Sequence, residues 1–175
     1  ALAQGGAAPT VMNAANETAV AWRTVLEHTD RPSALVLTRQ DVPTADRTQC
    51  ASAEGTARGG YVLSEASSDP QLILIATGSE VGVALEAQLS LEKAGVPTRV
   101  VSMPCQEWFD AQDADYREQV LPSDVKARVS VEAGIAMGWG KYVGCEGASV
   151  SIEHFGASAS GDVCMEKFGM TAEHV

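Results

Sequence analysis

Two stretches of sequence decide the fold of this chain, Leu72-Ile-Leu-Ile-Ala-Thr-Gly-Ser-Glu-Val81 and, further along, Thr98-Arg-Val-Val-Ser-Met-Pro104. Residues 72–76 form an apolar block without alternation, which is typical of a strand covered on both faces of a parallel sheet. Thr77 stands three residues before Glu80, and this capping-box spacing predicts that a helix begins at the turn. The two stretches therefore predict a strand–helix–strand unit.

The predicted helix runs from Glu80 to Ala94. Its apolar positions follow helical spacing, at Val81, Ala84, Leu85 and Leu89. Gly95 and Pro97 then supply an end signal and the return to a strand.

The turn before this helix lacks the G-x-G-x-x-G pattern of a dinucleotide site, because its glycines are only Gly78 and Gly82. The carboxylate of Glu80 at the helix N-terminus would also repel a phosphate. The pattern favours a structural turn over a nucleotide site.

Composition excludes several classes of partner. With 175 residues, 45% of them hydrophobic, the chain is long enough for one α/β domain and part of another. A net charge of −11 argues against nucleic acid and anionic membranes, because both need a positive surface. No stretch approaches the roughly 20 apolar residues of a membrane span, and the N-terminal residues lack a signal-peptide pattern. We therefore expect a soluble, cytoplasmic protein.

The cysteines are widely scattered, at Cys50, Cys105, Cys145 and Cys164. They form no C-x-x-C pair and have no histidine at ligand spacing, so a zinc site is not expected. A chain with this apolar content does not need disulfides, and reduced thiols are the favoured interpretation.

The region before Tyr61 has less regular structure. A helix is predicted over residues 17–28, with Asn16 as its N-cap. One face of this helix carries Val20, Ala21, Thr24 and Val25. A buried strand is predicted to follow over residues 33–38. Residues 42–60 are polar and glycine-rich without a sustained period, which predicts a linker.

From Tyr61 onward, predicted strands and helices alternate. The strands are Tyr61–Glu65, Leu72–Ala76, Arg99–Ser102, Ala127–Glu132 and Ser149–Ile152, and the further helices are a pair within Trp108–Val120, Trp139–Val143 and Val163–Phe168. This order predicts an α/β fold with a doubly wound, mostly parallel sheet. The turn through Asp69 and Pro70 is too short for a parallel crossover, so the strand that begins at Tyr61 is expected to be an antiparallel edge strand next to Leu72–Ala76.

Seven blocks, in order from Asn16 to near the end, resemble the C-terminal portion of transketolase. They are Asn16-Glu-Thr-Ala-Val-Ala-Trp22, Ala34-Leu-Val-Leu-Thr-Arg-Gln40, Arg58-Gly-Gly-Tyr-Val-Leu63, Ile75-Ala-Thr-Gly-Ser-Glu-Val81, Arg99-Val-Val-Ser-Met-Pro104, Val131-Glu-Ala-Gly-Ile135 and His154-Phe-Gly-Ala-Ser-Ala159. The resemblance implies that residues 1–41 are a remnant of a pyrimidine-binding domain, 42–60 a linker and 61–175 a C-terminal domain.

The resemblance also implies a function. Transketolases use thiamine diphosphate with Mg²⁺ (or Ca²⁺) to move a two-carbon ketol unit between sugar phosphates in the pentose phosphate pathway, and they are homodimers. The family's catalytic, cofactor and metal residues lie upstream of the matching region, so the isolated chain is expected to be inactive and to need the rest of a transketolase chain.

Arg39 is the one substrate-binding residue that the resemblance carries over. It follows a predicted strand, at the carboxyl end where open α/β sheets place ligands. In the family the matching arginine holds the phosphate end of the sugar, and a planar guanidinium suits this role because it can donate two parallel hydrogen bonds. The alternative is a structural pair with Asp41 or Asp46.

The sequence positions of three other polar residues favour structural roles for them. His154 beside Glu153 is expected to be structural, because neighbours in a strand point to opposite faces. His28 suits the C-terminal end of a helix. Glu132 is more simply a cap for a following helix than a ligand-binding group.

Two further features offer weak candidates. Cys105 follows a strand and is expected to be accessible, but it lacks basic neighbours that would activate a thiol. An acidic run without the order of a calcium loop favours a solvated helix face, and it consists of Glu107, Asp110, Asp113, Asp115 and Glu118.

The first fifteen residues depart from the family, which has an Arg-Pro-Ala-Asp-like approach where this chain has Thr10-Val-Met-Asn-Ala-Ala. The early helix and strand are also expected to expose apolar surface. Two alternatives stay open: a stand-alone small-ligand-binding, regulatory or dimer-assembly module that uses the carboxyl ends of the Leu72 and Arg99 strands, and a subunit of a two-component dehydrogenase or deoxyxylulose-phosphate synthase. The blocks that contain Arg39 and Gly78 fit transketolase better than the second alternative.

Overall fold

The computed structural model describes residues 8–12, 15–38, 42 and 45–175. Its strands are β1 Ala8–Met12, β2 Ser33–Leu37, β3 Tyr61–Ser64, β4 Leu72–Ala76, β5 Thr98–Ser102, β6 Arg128–Val131 and β7 Ala148–Val150. Its helices are α1 Ala15–Glu27, α2 Glu80–Lys93, α3 Gln106–Asp110, α4 Ala114–Val120, α5 Gly140–Val143 and α6 Gly161–Lys167, with a 3-10 helix at Ala53–Arg58.

The larger sheet has the strand order β3-β5-β4-β6-β7. The strands β5, β4, β6 and β7 are parallel, and β3 is antiparallel at one edge. The predicted α/β fold with one antiparallel edge strand is therefore confirmed. The predicted neighbour of β3 is wrong, because β3 pairs with β5, with Tyr61 opposite Ser102, rather than with β4. The short connection passes over one strand position instead of closing a hairpin.

Helices cover both faces of this sheet. On one face, Leu74 and Ala76 of β4 pack in a cluster that includes Val81 and Ala84 of α2. On the other face, Ile73 and Ile75 pack in a cluster with α3, α4 and α5 through Phe109, Val120 and Tyr142. Successive apolar residues of β4 therefore pack alternately against the helices on the two faces of the sheet, which explains why the sequence of β4 does not alternate between apolar and polar residues.

Helix α2 begins and ends where the sequence predicts, but its details differ. Ser79, not Thr77, is the N-cap, so the predicted capping box is wrong. Gly95 has a φ of 83° and ends the helix as expected. Leu89 is exposed, and the neighbouring Gln88 is buried instead because its side-chain amide donates to the backbone carbonyl of Thr98 at 2.7 Å.

The early part of the chain is a small strand–helix–strand unit in which β1 and β2 are parallel. The sequence did not predict β1, because the Gly- and Ala-rich opening has no strand pattern. Helix α1 begins at Ala15, so the predicted N-cap Asn16 lies inside the helix.

Strand β2 is not buried as predicted, because Val36 and Leu37 are about half exposed. Trp22 and Leu26 of α1 are exposed as well. The expectation of uncovered apolar surface on this unit is confirmed.

The segment predicted to be a linker contains the 3-10 helix Ala53–Arg58, in which Ala53 and Thr56 are buried. The side chain of Ser52 accepts a hydrogen bond from the backbone of Glu54 and caps this helix. Gly59 ends it with a φ of 83°. In the described part of the chain, no helix is long and apolar enough to cross a membrane.

Candidate functional site

Arg39 follows β2 in the sequence, but it lies outside the described residues, as does Asp41. Strand β2 ends at Leu37, and Thr38 is the last described residue before Arg39. Contact between Arg39 and a substrate therefore stays a prediction.

Helix α1, which leads to β2, is joined to the larger sheet through a buried carboxylate. Glu17 is 1% exposed, and its Oε1 accepts hydrogen bonds from the hydroxyl of Tyr61 at 2.6 Å and from Ser102 Oγ at 2.8 Å. These two donors are directly opposite each other on β3 and β5, so their side chains lie on the same face of the sheet.

Arg47 extends this arrangement. Its Nη1 donates to the Tyr61 hydroxyl at 3.3 Å and to the backbone carbonyl of Ala51 at 2.6 Å, while Nε and Nη2 are buried without a hydrogen-bond partner. Burial, and secondarily the charge of Glu17, raise the pKa of Tyr61, so its hydroxyl stays protonated and donates. We call Glu17, Arg47, Tyr61 and Ser102 the Glu17 cluster.

The other end of α1 makes looser contacts. The ring of His28 stacks on Trp108 with centroids 5.3 Å apart, and its Nδ1 lies 2.7 Å from the backbone carbonyl of Thr24. Arg23 forms an exposed ion pair with Glu54. His28 therefore packs at the helix C-terminus, as the sequence predicts.

A second candidate site lies at the carboxyl ends of β4, β5 and β6, where parallel sheets place ligands. It is a cavity of about 440 Å³. Thr77, Gln106, Glu107 and Glu132 supply its polar groups, and its apolar lining includes Met103 and Trp139.

Glu132 gives this cavity its unusual electrostatics. Burial, together with the nearby Glu80, raises the pKa of Glu132 to about 7. Burial also raises the pKa of Glu80. The hydroxyl of Ser79 partly offsets this rise, because it donates a hydrogen bond to the Glu80 carboxylate at 2.9 Å. The predicted role of Glu132 as a helix cap is wrong, because residues 133–138 are not helical.

His154 is exposed and packs edge-on against Phe168 with ring centroids 4.9 Å apart. The adjacent Glu153 accepts hydrogen bonds from the backbone of Ala136 at 2.7 Å and from Ser151. The structural role of His154 stays a prediction, and because β7 ends at Val150 the argument from strand geometry does not apply to it.

Cys105 is buried, so the expected accessibility is wrong. It lies at the start of α3 against Trp108 and Val25. All four cysteines are free in the structure.

The acidic run is spread over α3 and α4 and their connection. Asp110 pairs with Lys141 and with the hydroxyl of Tyr142, and Glu118 accepts from Ser123. In the described part of the chain, no group of three or more His, Cys, Asp or Glu side chains could hold a metal ion.

Asp113 has a structural role in this run, because its side chain caps α4 by accepting from the backbone of Tyr116 at 2.7 Å. We expect Asp113→Ala to lower the free energy of unfolding by about 1 kcal/mol. Asp115→Ala, in the first turn of the same helix, is the matched control and should cost less. Urea denaturation of both variants checks this, and equal losses would contradict the capping role.

The Glu17 cluster was not found by sequence reasoning. The sequence does show a glutamate on the apolar face of α1, three residues before Val20, and a charge on such a face is the one signal that could have identified it.

The sequence of this chain is similar to sequences of known proteins. Residues 59–171 match the family model of the transketolase-like TK C-terminal domain. Transketolase of Halalkalibacterium halodurans is 49% identical over 91% of this chain and 24% of its own length. Transketolase of Mycobacterium tuberculosis is 53% identical over 92% of this chain and 24% of its own length. The chain thus spans about a quarter of the length of the curated relatives that it matches.

Solved structures show the same similarity. Transketolase from Pichia stipitis, in complex with sedoheptulose 7-phosphate, matches with a TM-score of 0.87 and 34% identity, over 97% of this chain and 24% of that chain. Transketolase from Leishmania mexicana matches with a TM-score of 0.82 and 39% identity, over 95% of this chain and 24% of that chain.

Proposed function

Because the chain belongs to the transketolase C-terminal domain family, we propose that it works as the C-terminal part of a transketolase, which moves a two-carbon ketol unit between sugar phosphates. One observation carries this proposal: the match to transketolases extends over nine-tenths of the chain at about 50% identity. A stand-alone binding module is not favoured, since the relatives carry this sequence within a chain about four times as long.

The proposal includes the organisation of the complete protein. Residues 1–41 would complete a pyrimidine-binding domain, 42–60 would link it, and 61–175 would be the C-terminal domain. The complete protein would be a cytoplasmic homodimer of the pentose phosphate pathway. We expect the isolated chain to be inactive.

Thiamine diphosphate and Mg²⁺ (or Ca²⁺) would supply the chemistry of the complete protein. Because the family's cofactor and metal residues lie upstream of the matching region, we propose that both groups bind to segments outside this chain.

Arg39 is the residue that we propose to contact the substrate. The sugar phosphate in the Pichia stipitis complex has the dianionic group that a guanidinium binds through two parallel hydrogen bonds. The position after β2 supports this role, because ligands of open α/β sheets lie at the carboxyl ends of strands.

The test uses a chimera in which this chain replaces the matching C-terminal quarter of Mycobacterium tuberculosis transketolase. We expect the chimera to be active with thiamine diphosphate and Mg²⁺. Arg39→Ala should raise KM for a phosphorylated aldose by about tenfold to a hundredfold, because a charge-assisted hydrogen-bond pair is lost. KM for an unphosphorylated aldose should change little.

The matched control is Arg31→Ala, which removes an exposed guanidinium that pairs with Asp30 just before β2. It should leave both KM values unchanged. An Arg39→Ala chimera whose KM rises equally for both aldoses would contradict phosphate contact, and an inactive but folded chimera would contradict the proposed function.

A further inference from the structure

The cavity at the carboxyl ends of β4, β5 and β6 lies where the chain leaves neighbouring strands toward opposite faces of the sheet. After β4 the chain enters α2, whose Val81 and Ala84 pack on one face. After β5 and β6 it enters α3 and α5, whose Phe109 and Tyr142 pack on the other face. In open α/β sheets such a divergence opens a crevice that holds ligands. The cavity of about 440 Å³ occupies this crevice, and its volume suits a small molecule.

The lining of this cavity combines apolar walls with a few polar groups, as small-molecule sites do. Met103 and Trp139 are almost fully buried, and Ile135 adds an apolar side chain that is about half exposed. Glu107 and Glu132 bring carboxyl groups to the cavity from α3 and from the end of β6. One small ligand can therefore contact an apolar wall and a carboxyl group together.

The charges around this cavity select against anions. None of the described residues that line it is basic. The carboxyl group of Glu80, at the N-terminus of α2, is near enough to raise the pKa of Glu132. By contrast, the cavity beside α4 and α5 is lined by Arg117, Arg128 and Lys141. A phosphate or carboxylate would therefore be repelled from the carboxyl ends of β4 and β6, whereas a cation would be attracted.

Glu132 is also the carboxyl group that a ligand would satisfy. It accepts no hydrogen bond from the described residues, whereas Glu80 accepts one from the hydroxyl of Ser79 at 2.9 Å. A partly buried carboxylate without a donor is costly. An ammonium group supplies three N–H donors and a compensating charge, which makes it a fitting partner for Glu132.

We propose that this cavity binds a small organic cation, in which a primary ammonium group is joined to an apolar body. The ammonium group donates to the carboxylate of Glu132, and Glu107 adds a second negative charge to the same cavity. The apolar body packs against Met103 and Trp139. The site consists of residues of this chain, so the inference does not rest on the proposed transferase activity.

NMR titrations of the isotope-labelled chain test the site with matched probes, in about 150 mM salt to screen unspecific attraction and at about pH 8, where Glu132 is ionised. Phenethylammonium should shift the amides of Gly134 and Ile135 and the indole N–H of Trp139. The shifts should saturate with a Kd on the order of 1 mM, which suits a probe of about nine non-hydrogen atoms. Hydrocinnamate, which has the same ring and the opposite charge, should bind at least about tenfold more weakly, and so should ethylammonium, which lacks the ring.

Glu132→Gln removes the charge and keeps an oxygen acceptor. It should weaken the binding of phenethylammonium by about tenfold, because a charge-assisted hydrogen bond becomes a neutral one. Phenethyl alcohol, a neutral analogue, should keep its affinity within about twofold. Glu86→Gln is the matched control, since it removes an exposed carboxylate of α2 that does not line the cavity, and it should leave both affinities unchanged. Unshifted resonances outside the cavity show that each variant is folded.

Ligand-detected NMR of the chimera described above extends the test to the longer protein, where the same order of probe affinities is expected. The inference is overturned if hydrocinnamate binds as tightly as phenethylammonium, if the shifts map outside the cavity, or if Glu132→Gln keeps the affinity for the ammonium probe. A chimera that does not bind the probe would show that the upstream part covers the cavity, and would overturn the site for the complete protein. An inactive, folded chimera that binds the probe would contradict the proposed function and support this site.

Discussion

Gly59→Ala is expected to lower the free energy of unfolding by about 3 kcal/mol. Gly59 has a φ of 83°, a conformation that costs an alanine about 1 kcal/mol. A Cβ atom at this position would also lie 2.3 Å from both the carbonyl oxygen of Cys105 and the backbone nitrogen of Phe109. Both neighbours are main-chain atoms, one in the N-cap residue of α3 and one within the helix, so the clash can be relieved only by moving the helix, which adds about 2 kcal/mol.

Urea denaturation measures this loss, and Gly82→Ala is the matched control. Gly82 lies within α2, and a Cβ atom there would meet nothing within 4 Å. Alanine is favoured over glycine in a helix, so the control should be neutral or more stable by up to about 1 kcal/mol. A Gly59→Ala variant within about 1 kcal/mol of the parent would show that α3 can move away from Gly59 at little cost.

The first strand–helix–strand unit of the larger sheet illustrates what the sequence could predict. The unit of β4, α2 and β5 was predicted within one or two residues, because its signals are local: an apolar block, helical spacing and the Gly95–Pro97 stop. Element types after Tyr61 were likewise correct, and the family blocks add agreement along most of the chain.

Features that depend on distant partners were not predictable in the same way. Glu17 meets Tyr61 and Ser102, which are 44 and 85 residues away, so no local pattern identifies the contact. Cys105 follows a strand as expected, but packing of α1 buries it. The neighbour of β3 was mispredicted because loop length limits strand direction more strongly than strand order.

Glu132 should make the stability of the protein fall as the pH rises. Burial and the nearby Glu80 raise its pKa from 4.5 to about 7, so between these values the unfolded chain has released a proton that the folded protein still holds. The free energy of unfolding therefore decreases with pH across this window and levels off above it. The pKa shift corresponds to about 3 kcal/mol, and partial exposure of the side chain reduces the expected loss to about 2 kcal/mol.

Glu132→Gln should remove most of this slope and be more stable than the parent at pH 8, because an amide stays neutral in the same surroundings. Glu153→Gln is the control, because the pKa of Glu153 is shifted in the opposite direction. Hydrogen bonds from the backbone of Ala136 and from Ser151 lower it. The Glu153 carboxylate stabilises the fold above its ordinary pKa and loses this contribution as the pH falls. Glu153→Gln should therefore leave the decrease in the free energy of unfolding between pH 4.5 and 7 unchanged. Urea denaturation from pH 4.5 to 8 tests both variants. A parent protein whose stability is constant or rises across this range would mean that water or a counter-charge reaches the carboxyl ends of β4 and β6 and keeps Glu132 ionised.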